Sequence, residues 1–267
     1  MLSTKFGVIG GGVMGEALLS RLVAQQIYAP GEVLVSDPQA QRRNWLAQQY
    51  GVQVTDDNHA IASTAEVVLL AIKPQVFDAV VSGLTPSNPG QLVVSILAGV
   101  PLSKLEAAFP GQPVIRAMPN TPATIGAGMT AIAPGQHVTA DHIKTAETLF
   151  QAVGDVAQVP ESLMDAVTGL SGSGPAYVAI LIEALADGGV AAGLPRAIAL
   201  QLAIQTVRGT AELVQQSDLH PAVLKDRVTS PGGTTIAGVT QLEEHGFRAG
   251  LIAAVKAAAQ RSKELGS

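Results

Sequence analysis

The sequence predicts an α/β protein in two halves: a doubly wound parallel sheet first, then a purely helical part. Three observations carry this. Short β-branched runs alternate with helical patterns as far as residue 160. A glycine-rich turn follows the first of these runs directly and opens a helix. From 161 to 267 only helical patterns remain, punctuated by Gly and Pro.

The strand candidates come in order. They are FGVIG (6–10), VLVS (33–36), VVLLAI (67–72), LVVSIL (92–97) and VIRAM (114–118). None alternates apolar with polar, as expected of parallel strands covered on both faces. Helical patterns lie between them. In SDPQAQRRNWLAQQYG, Asp37 reads as an N-cap, Pro38 as the first helical residue and Gly51 as the stop. Strand–helix alternation implies right-handed βαβ units. The expected domains are an α/β half, 1–160, and a helical half, 161–267.

Composition narrows the function classes. Of 267 residues, 47% are hydrophobic and 14% charged, the balance of a folded chain with a substantial core. Aromatics are 3%, so the core is built from Ala, Val, Ile and Leu. A net charge of -5 with no basic run makes nucleic acid an unexpected partner. There is no cysteine, hence no disulfide or zinc–thiolate site. The strand pattern opens at residue 6, which leaves no room for a signal peptide, and a cytoplasmic location is expected.

Gly10, Gly12 and Gly15 follow the first strand in G-x-G-x-x-G spacing. Gly10 allows the tight turn, Gly12 a close approach of a pyrophosphate, and Gly15 close helix–strand packing. The helix N-terminus then faces the phosphates. At the end of the second strand an NAD-preferring site offers a carboxylate to the ribose; this chain has Ser36, then Asp37. Arg42 and Arg43 follow, either to meet a 2′-phosphate or as surface charge. NADPH is the expected cofactor, with NADH also accepted. Lys73 at a strand end neutralises phosphate or is a surface lysine; Asn120 bonds the cofactor or holds its loop.

In the second half, helices are expected from Pro175, Pro195 and Pro221 onward, then over 232–245 and 248–265. The segment 175–193 is nearly apolar enough to span a membrane, but it holds Glu183 and Asp187, and it reads as a buried helix of a soluble protein. A helix apolar on nearly every side must be covered all round. About 105 residues would struggle to do so alone, which predicts that two copies interleave their helical halves.

The stretch TSPGGTTIAGVTQLEEHGF (229–247) sets hydroxyls and two glycines before an amphipathic helix. Open backbone N–H groups and a positive dipole end bind an anion without any cation, and a small carboxylate suits such a site. Acid–base machinery is not evident. The five histidines, His59, His137, His142, His220 and His245, lack metal-ligand spacing, and no metal site is expected. The SGSGPA stretch (171–176) walls a pocket or packs helices tightly.

VTSPGGTTIAGVTQLEEHGFR, TGLSGSGPAYV (168–178), ALADGGVAAGLPR (184–196) and MPNTPA (118–123) resemble the pyrroline-5-carboxylate reductase family along essentially the whole chain. The resemblance implies a Rossmann-like domain, a helical dimerisation domain, and reduction of pyrroline-5-carboxylate to L-proline with NAD(P)H. It implies that the substrate is held by Ser230, Gly233, Thr234 and Thr235, with Thr235 at the ring nitrogen as the catalytic residue and backbone donors at Gly233 and Thr234 on the carboxylate. It implies cofactor contacts at Ile9, Gly10, Gly11, Gly12, Val13, Met14, Ser36, Asp37, Asn58, Ile72, Lys73, Ala98 and Arg227. It further implies intertwined homodimers and higher rings, a decamer of dimers among them. Asp218 stands where some relatives have Glu. A β-hydroxyacid dehydrogenase, the rival enzyme, needs a lysine early in the helical half, and none lies between Lys144 and Lys225. A non-enzymatic dinucleotide sensor, the other rival, predicts cofactor binding without turnover.

Overall fold

The computed structural model describes residues 4–84, 88 and 90–266. It divides into two compact units, Met1–Ser173 with Ala257–Ser267, and Gly174–Lys256.

The first unit is a sheet of eight strands in the order β3-β2-β1-β4-β5-β6-β7-β8. Its parallel part is β1 (Phe6–Ile9), β2 (Val33–Ser36), β3 (Gln53–Thr55), β4 (Val67–Leu70), β5 (Leu92–Ser95) and β6 (Val114–Met118). β7 (Gly128–Pro134) runs antiparallel to β6, and β8 (Gly154–Gln158) runs parallel to β7. The five strands expected from sequence are all present. Strands β1, β4 and β5 are buried along their whole length, which is why they carry no alternation. The other three are short or small in side chain: β3 has three residues, Gln53 exposed and the next two half-buried, and β7 and β8 both start at Gly.

Two apolar layers close over the faces. One gathers Phe6, Leu18, Leu22, Leu46 and Phe150; the other gathers Ile61, Leu70, Phe77, Leu105 and Phe109. The register sets Ile9 against Ser36 on one side and Leu70 on the other, and Leu70 against Ser95. The chain therefore leaves β1, β2, β4 and β5 along one edge. Strand order reverses between β2 and β4, on either side of β1, and the carboxyl ends at such a reversal form the ligand crevice of a doubly wound sheet.

Helices of this unit include α1 (Val13–Ala24), α2 (Ala40–Tyr50), α3 (Asn58–Thr64), α4 (Phe77–Val81), α5 (Leu102–Ala108), α6 (Ala140–Gln151) and α7 (Met164–Val167). Helix α2 stops at Gly51, φ +69, as expected. Its start differs from the sequence reading. The N-cap is Gln39, and Asp37 lies outside the helix, because its carboxylate is drawn to two other amides described below.

The second unit is helical: α8 (Gly174–Ala191), α9 (Arg196–Ser217), α10 (Pro221–Arg227), α11 (Thr234–Glu244) and α12 (Phe247–Gly266), of which the last turns belong to the first unit. All five follow the Pro and Gly signals. α9 begins after Pro195 and α10 starts at Pro221. α8 and α9 pack closely through Ala186, Ala199 and Ala203; a Cβ on Gly189 would lie 3.1 Å from that of Ala199. This core is small. A single chain does not cover α8, as the sequence reading anticipates: Val178, Ile180 and Leu185 on α8, and Ile198, Leu202 and Ile204 on α9, are all exposed. The segment Glu161–Ala191 is the one stretch among the described residues long and apolar enough to cross a membrane. Exposure at this scale marks an interface.

Candidate active site

The cofactor end is built where the chain turns from β1 into α1. Gly10 takes φ +104, and its N–H donates to the Ser36 carbonyl at 2.8 Å. A Cβ there would lie 2.6 Å from the Ala71 carbonyl oxygen, so only glycine fits. Gly15 likewise admits no side chain, since its Cβ would fall 2.4 Å from the Gly10 carbonyl oxygen. Gly12 is different. It is the N-cap of α1, and a Cβ on it would meet nothing within 4 Å. That open face is a cradle in front of a helix N-terminus, the shape a pyrophosphate needs. Val13 and Met14 form the first turn, Val13 being 73% exposed.

Ser36 ends β2 and is buried; its hydroxyl donates to Asn58 Oδ1 at 2.5 Å, and Asn58 opens α3. Asp37 accepts from Gly11 N–H at 3.1 Å and from Gln39 N–H at 2.9 Å. Arg42 and Arg43 are both engaged within the protein. Arg42 Nε donates to the Gly11 carbonyl at 2.6 Å, and the same guanidinium pairs with Glu16. Arg43 bonds the Asp37 and Pro38 carbonyls and Asp56. Tyr50 O–H donates to Glu16 at 2.9 Å; burial first, then the Glu16 carboxylate, push this phenol above its ordinary range.

Ile72 and Lys73 follow β4, with Lys73 exposed, and Ala98 follows β5, also exposed. The fold thus brings Ile9–Met14, Ser36, Asp37, Asn58, Ile72, Lys73 and Ala98 to one edge of the sheet. Arg227 lies apart in sequence and unit, at the last residue of α10. Asn120 holds its loop: Oδ1 accepts from Met129 N–H at 2.9 Å and Nδ2 donates to the Ser171 carbonyl at 3.2 Å. The TGLSG stretch at Thr168–Gly172 is a π-turn; a Cβ on Gly172 would lie 2.8 Å from the movable end of Met118, Cε, whereas one on Gly174 would meet nothing within 4 Å.

The second candidate lies before α11. Gly232 takes φ +64, and Gly233, φ −80 and ψ 176, is the N-cap with no side-chain cap. Of the four hydroxyls, that of Thr229 is spent on the Lys225 carbonyl at 2.6 Å. Those of Ser230, Thr234 and Thr235 carry no hydrogen bond among the described residues. One expectation is corrected. Gly233 N–H closes a turn onto the Ser230 carbonyl at 3.1 Å, so it is not an open donor; the backbone amides left without an acceptor among the described residues of this loop are those of Ser230, Gly232, Thr234, Thr235 and Ile236. Gly233 matters through its missing side chain instead, since a Cβ there would lie 2.2 Å from Ser230 Oγ.

Sequence reading missed Glu16 and Tyr50. The signal was faint: an acid in the first turn of a helix that already faces phosphates, where a carboxylate must be neutralised by a cation. Arg42 is that cation.

A doubly wound sheet with an open helix N-terminus at its switch point, joined to helices with uncovered apolar faces, defines a dinucleotide-binding protein with a helical assembly surface. Comparison with known proteins agrees and goes further. Residues 161–265 match the family described as pyrroline-5-carboxylate reductase dimerisation, and residues 5–99 match the family described as NADP oxidoreductase coenzyme F420-dependent. A pyrroline-5-carboxylate reductase of Synechocystis is 59% identical over 265 residues, covering 99% of each chain. A solved pyrroline-5-carboxylate reductase from Coxiella burnetii superposes with a TM-score of 0.93 at 34% identity over 100% of both chains. That of Plasmodium falciparum, with NADP bound, gives 0.89 at 31% identity, again over 100% of both. The chain belongs to the pyrroline-5-carboxylate reductase family. Its activity is NAD(P)-dependent reduction of pyrroline-5-carboxylate, a step of proline biosynthesis, and its helical part is a dimerisation domain.

Proposed function

We propose that the chain reduces pyrroline-5-carboxylate to L-proline by binding the substrate carboxylate at the N-terminus of α11. The observation that carries this is the set of unspent donors there: the amides of Thr234 and Thr235 and the hydroxyls of Ser230, Thr234 and Thr235. Together with the helix dipole they suit one small anion. Thr235, the second residue of α11, orients the ring nitrogen and relays its proton. The protonated imine is already electrophilic, so no strong base is needed. NADPH supplies a hydride to C5 of the ring, the C=N π pair becomes the amine lone pair, and NADP⁺ leaves. What the protein contributes is alignment and exclusion of water, worth several kcal/mol of barrier.

At the cofactor end, Ile9 to Met14 hold the pyrophosphate. Ser36 and Asn58, with Asp37 turned to the backbone, face the adenosine ribose without a free carboxylate, which favours NADPH while leaving NADH accepted. Ile72, Lys73 and Ala98 line the rest, and Arg227 adds a cation. Residues 1–160 act as the cofactor domain and 161–267 as the substrate and dimerisation domain. The homodimer associates into higher rings, and the enzyme works in the cytoplasm. The test is NADPH oxidation with racemic pyrroline-5-carboxylate, against piperideine-carboxylate and hydroxyisobutyrate. Turnover confined to the cyclic imines is expected; none with pyrroline-5-carboxylate would leave a dinucleotide sensor.

A further inference from the structure

Gly10, Gly11 and Gly12 are three glycines in a row, the most flexible backbone a chain can offer and the most costly to fix around a ligand. None has a side chain to hold the loop, yet Gly11 is held on both sides. Its N–H meets Asp37 Oδ2 at 3.1 Å, and its carbonyl meets Arg42 Nε at 2.6 Å. Arg42 is itself fixed: it pairs with Glu16 on α1, lies over the Trp45 ring at 4.7 Å, and shares Glu16 with Tyr50. Leu46 closes the remaining side, 2.7 Å from where a Gly11 Cβ would be.

We infer that Asp37 and Arg42 are positioning residues that clamp Gly11 and preset the phosphate loop, and that Arg42 therefore serves NADPH and NADH alike instead of reading the 2′-phosphate. An arginine awaiting a phosphate would stand free; this one is already neutralised by Glu16 and bonded to backbone. The inference rests on residues 9–14 being the phosphate loop.

The test measures dissociation constants of NADPH and NADH on the full-length dimer, by quenching of nucleotide fluorescence, for Arg42→Ala, Glu16→Gln and Gly12→Glu. Losing one charge-assisted hydrogen bond should weaken both nucleotides by a similar factor, about tenfold or more, in Arg42→Ala. Glu16→Gln should follow in the same direction, and covers the case in which Arg42→Ala fails to fold. Amide exchange at residues 10–13 should quicken in both. Weakening of NADPH alone would make Arg42 a 2′-phosphate ligand and overturn the inference, as would unchanged affinity for both. Gly12→Glu separates this from the loop reading: its side chain enters open space, so the fold tolerates it, and binding of both nucleotides should vanish. If Gly12→Glu binds NADPH normally, the loop reading itself falls.

Discussion

Gly233→Ala is the smallest change that tests how the carboxylate is held. Gly233 has φ −80 and ψ 176, extended backbone that alanine adopts without strain. The added Cβ would lie 2.2 Å from Ser230 Oγ and 3.2 Å from the Ser230 carbonyl oxygen. The backbone carbonyl can yield by a few tenths of an ångström, but the hydroxyl must swing away. Its lost bond to a charged carboxylate is worth about 1.5–3 kcal/mol, which raises KM for pyrroline-5-carboxylate roughly 10- to 150-fold. The dissociation constant of NADPH should stay within about twofold, since the change touches only the α11 loop. Initial rates of NADPH oxidation against imine concentration give the first number and fluorescence quenching the second. Ser230→Ala removes the same hydroxyl directly and makes room for the new Cβ. The double variant should therefore be little worse than either single one. Unchanged KM in Gly233→Ala, or losses that simply add in the double variant, would refute the reasoning.

Other predictions follow from single contacts. Thr235→Val keeps shape and removes the hydroxyl; kcat/KM should fall by about 1–3 kcal/mol of transition-state binding, and an unaltered value would leave Thr235 a packing residue. Gly154 has φ +149, and a Cβ there would lie 1.9 Å from the Gly128 carbonyl oxygen where β8 joins β7. Gly154→Ala should cost about 3 kcal/mol or more in urea unfolding, and an unmoved midpoint would contradict it. Ile180, 65% exposed in one chain, lines an apolar groove of about 570 Å³ formed by α8, α11 and α12. If the second copy covers that groove, Ile180→Asp buries an unpaired carboxylate and weakens the dimer by about 3–5 kcal/mol, seen as monomer by light scattering. A variant that remains dimeric at nanomolar concentration would place the interface elsewhere.

Much of the molecule was legible in its sequence, because the signals are local. Pro195, Pro221 and the glycines before α11 act on their own backbone, and they locate the helices of the second half within a residue or two. The five apolar runs and the Gly10–Gly12–Gly15 spacing fix the parallel core and the cofactor turn for the same reason. Strands β3, β7 and β8 were missed because a short or alanine-rich segment becomes a strand only when a neighbour offers its edge.

What tertiary structure alone decided is where short polar groups spend their hydrogen bonds. Asp37 reads as the cap of the next helix but is taken by Gly11, 26 residues earlier. Asn120 is taken by Met129 and Ser171, and Gly233 N–H by its own turn. A carboxylate or amide can satisfy any donor or acceptor within reach. Which one lies within reach depends on how distant segments pack, and no run of neighbouring residues encodes that. The apolar faces of α8 and α9 make the same point at larger scale: sequence shows that one chain cannot cover them, whereas only folding shows which residues, Ile180 and Leu202 among them, are left bare.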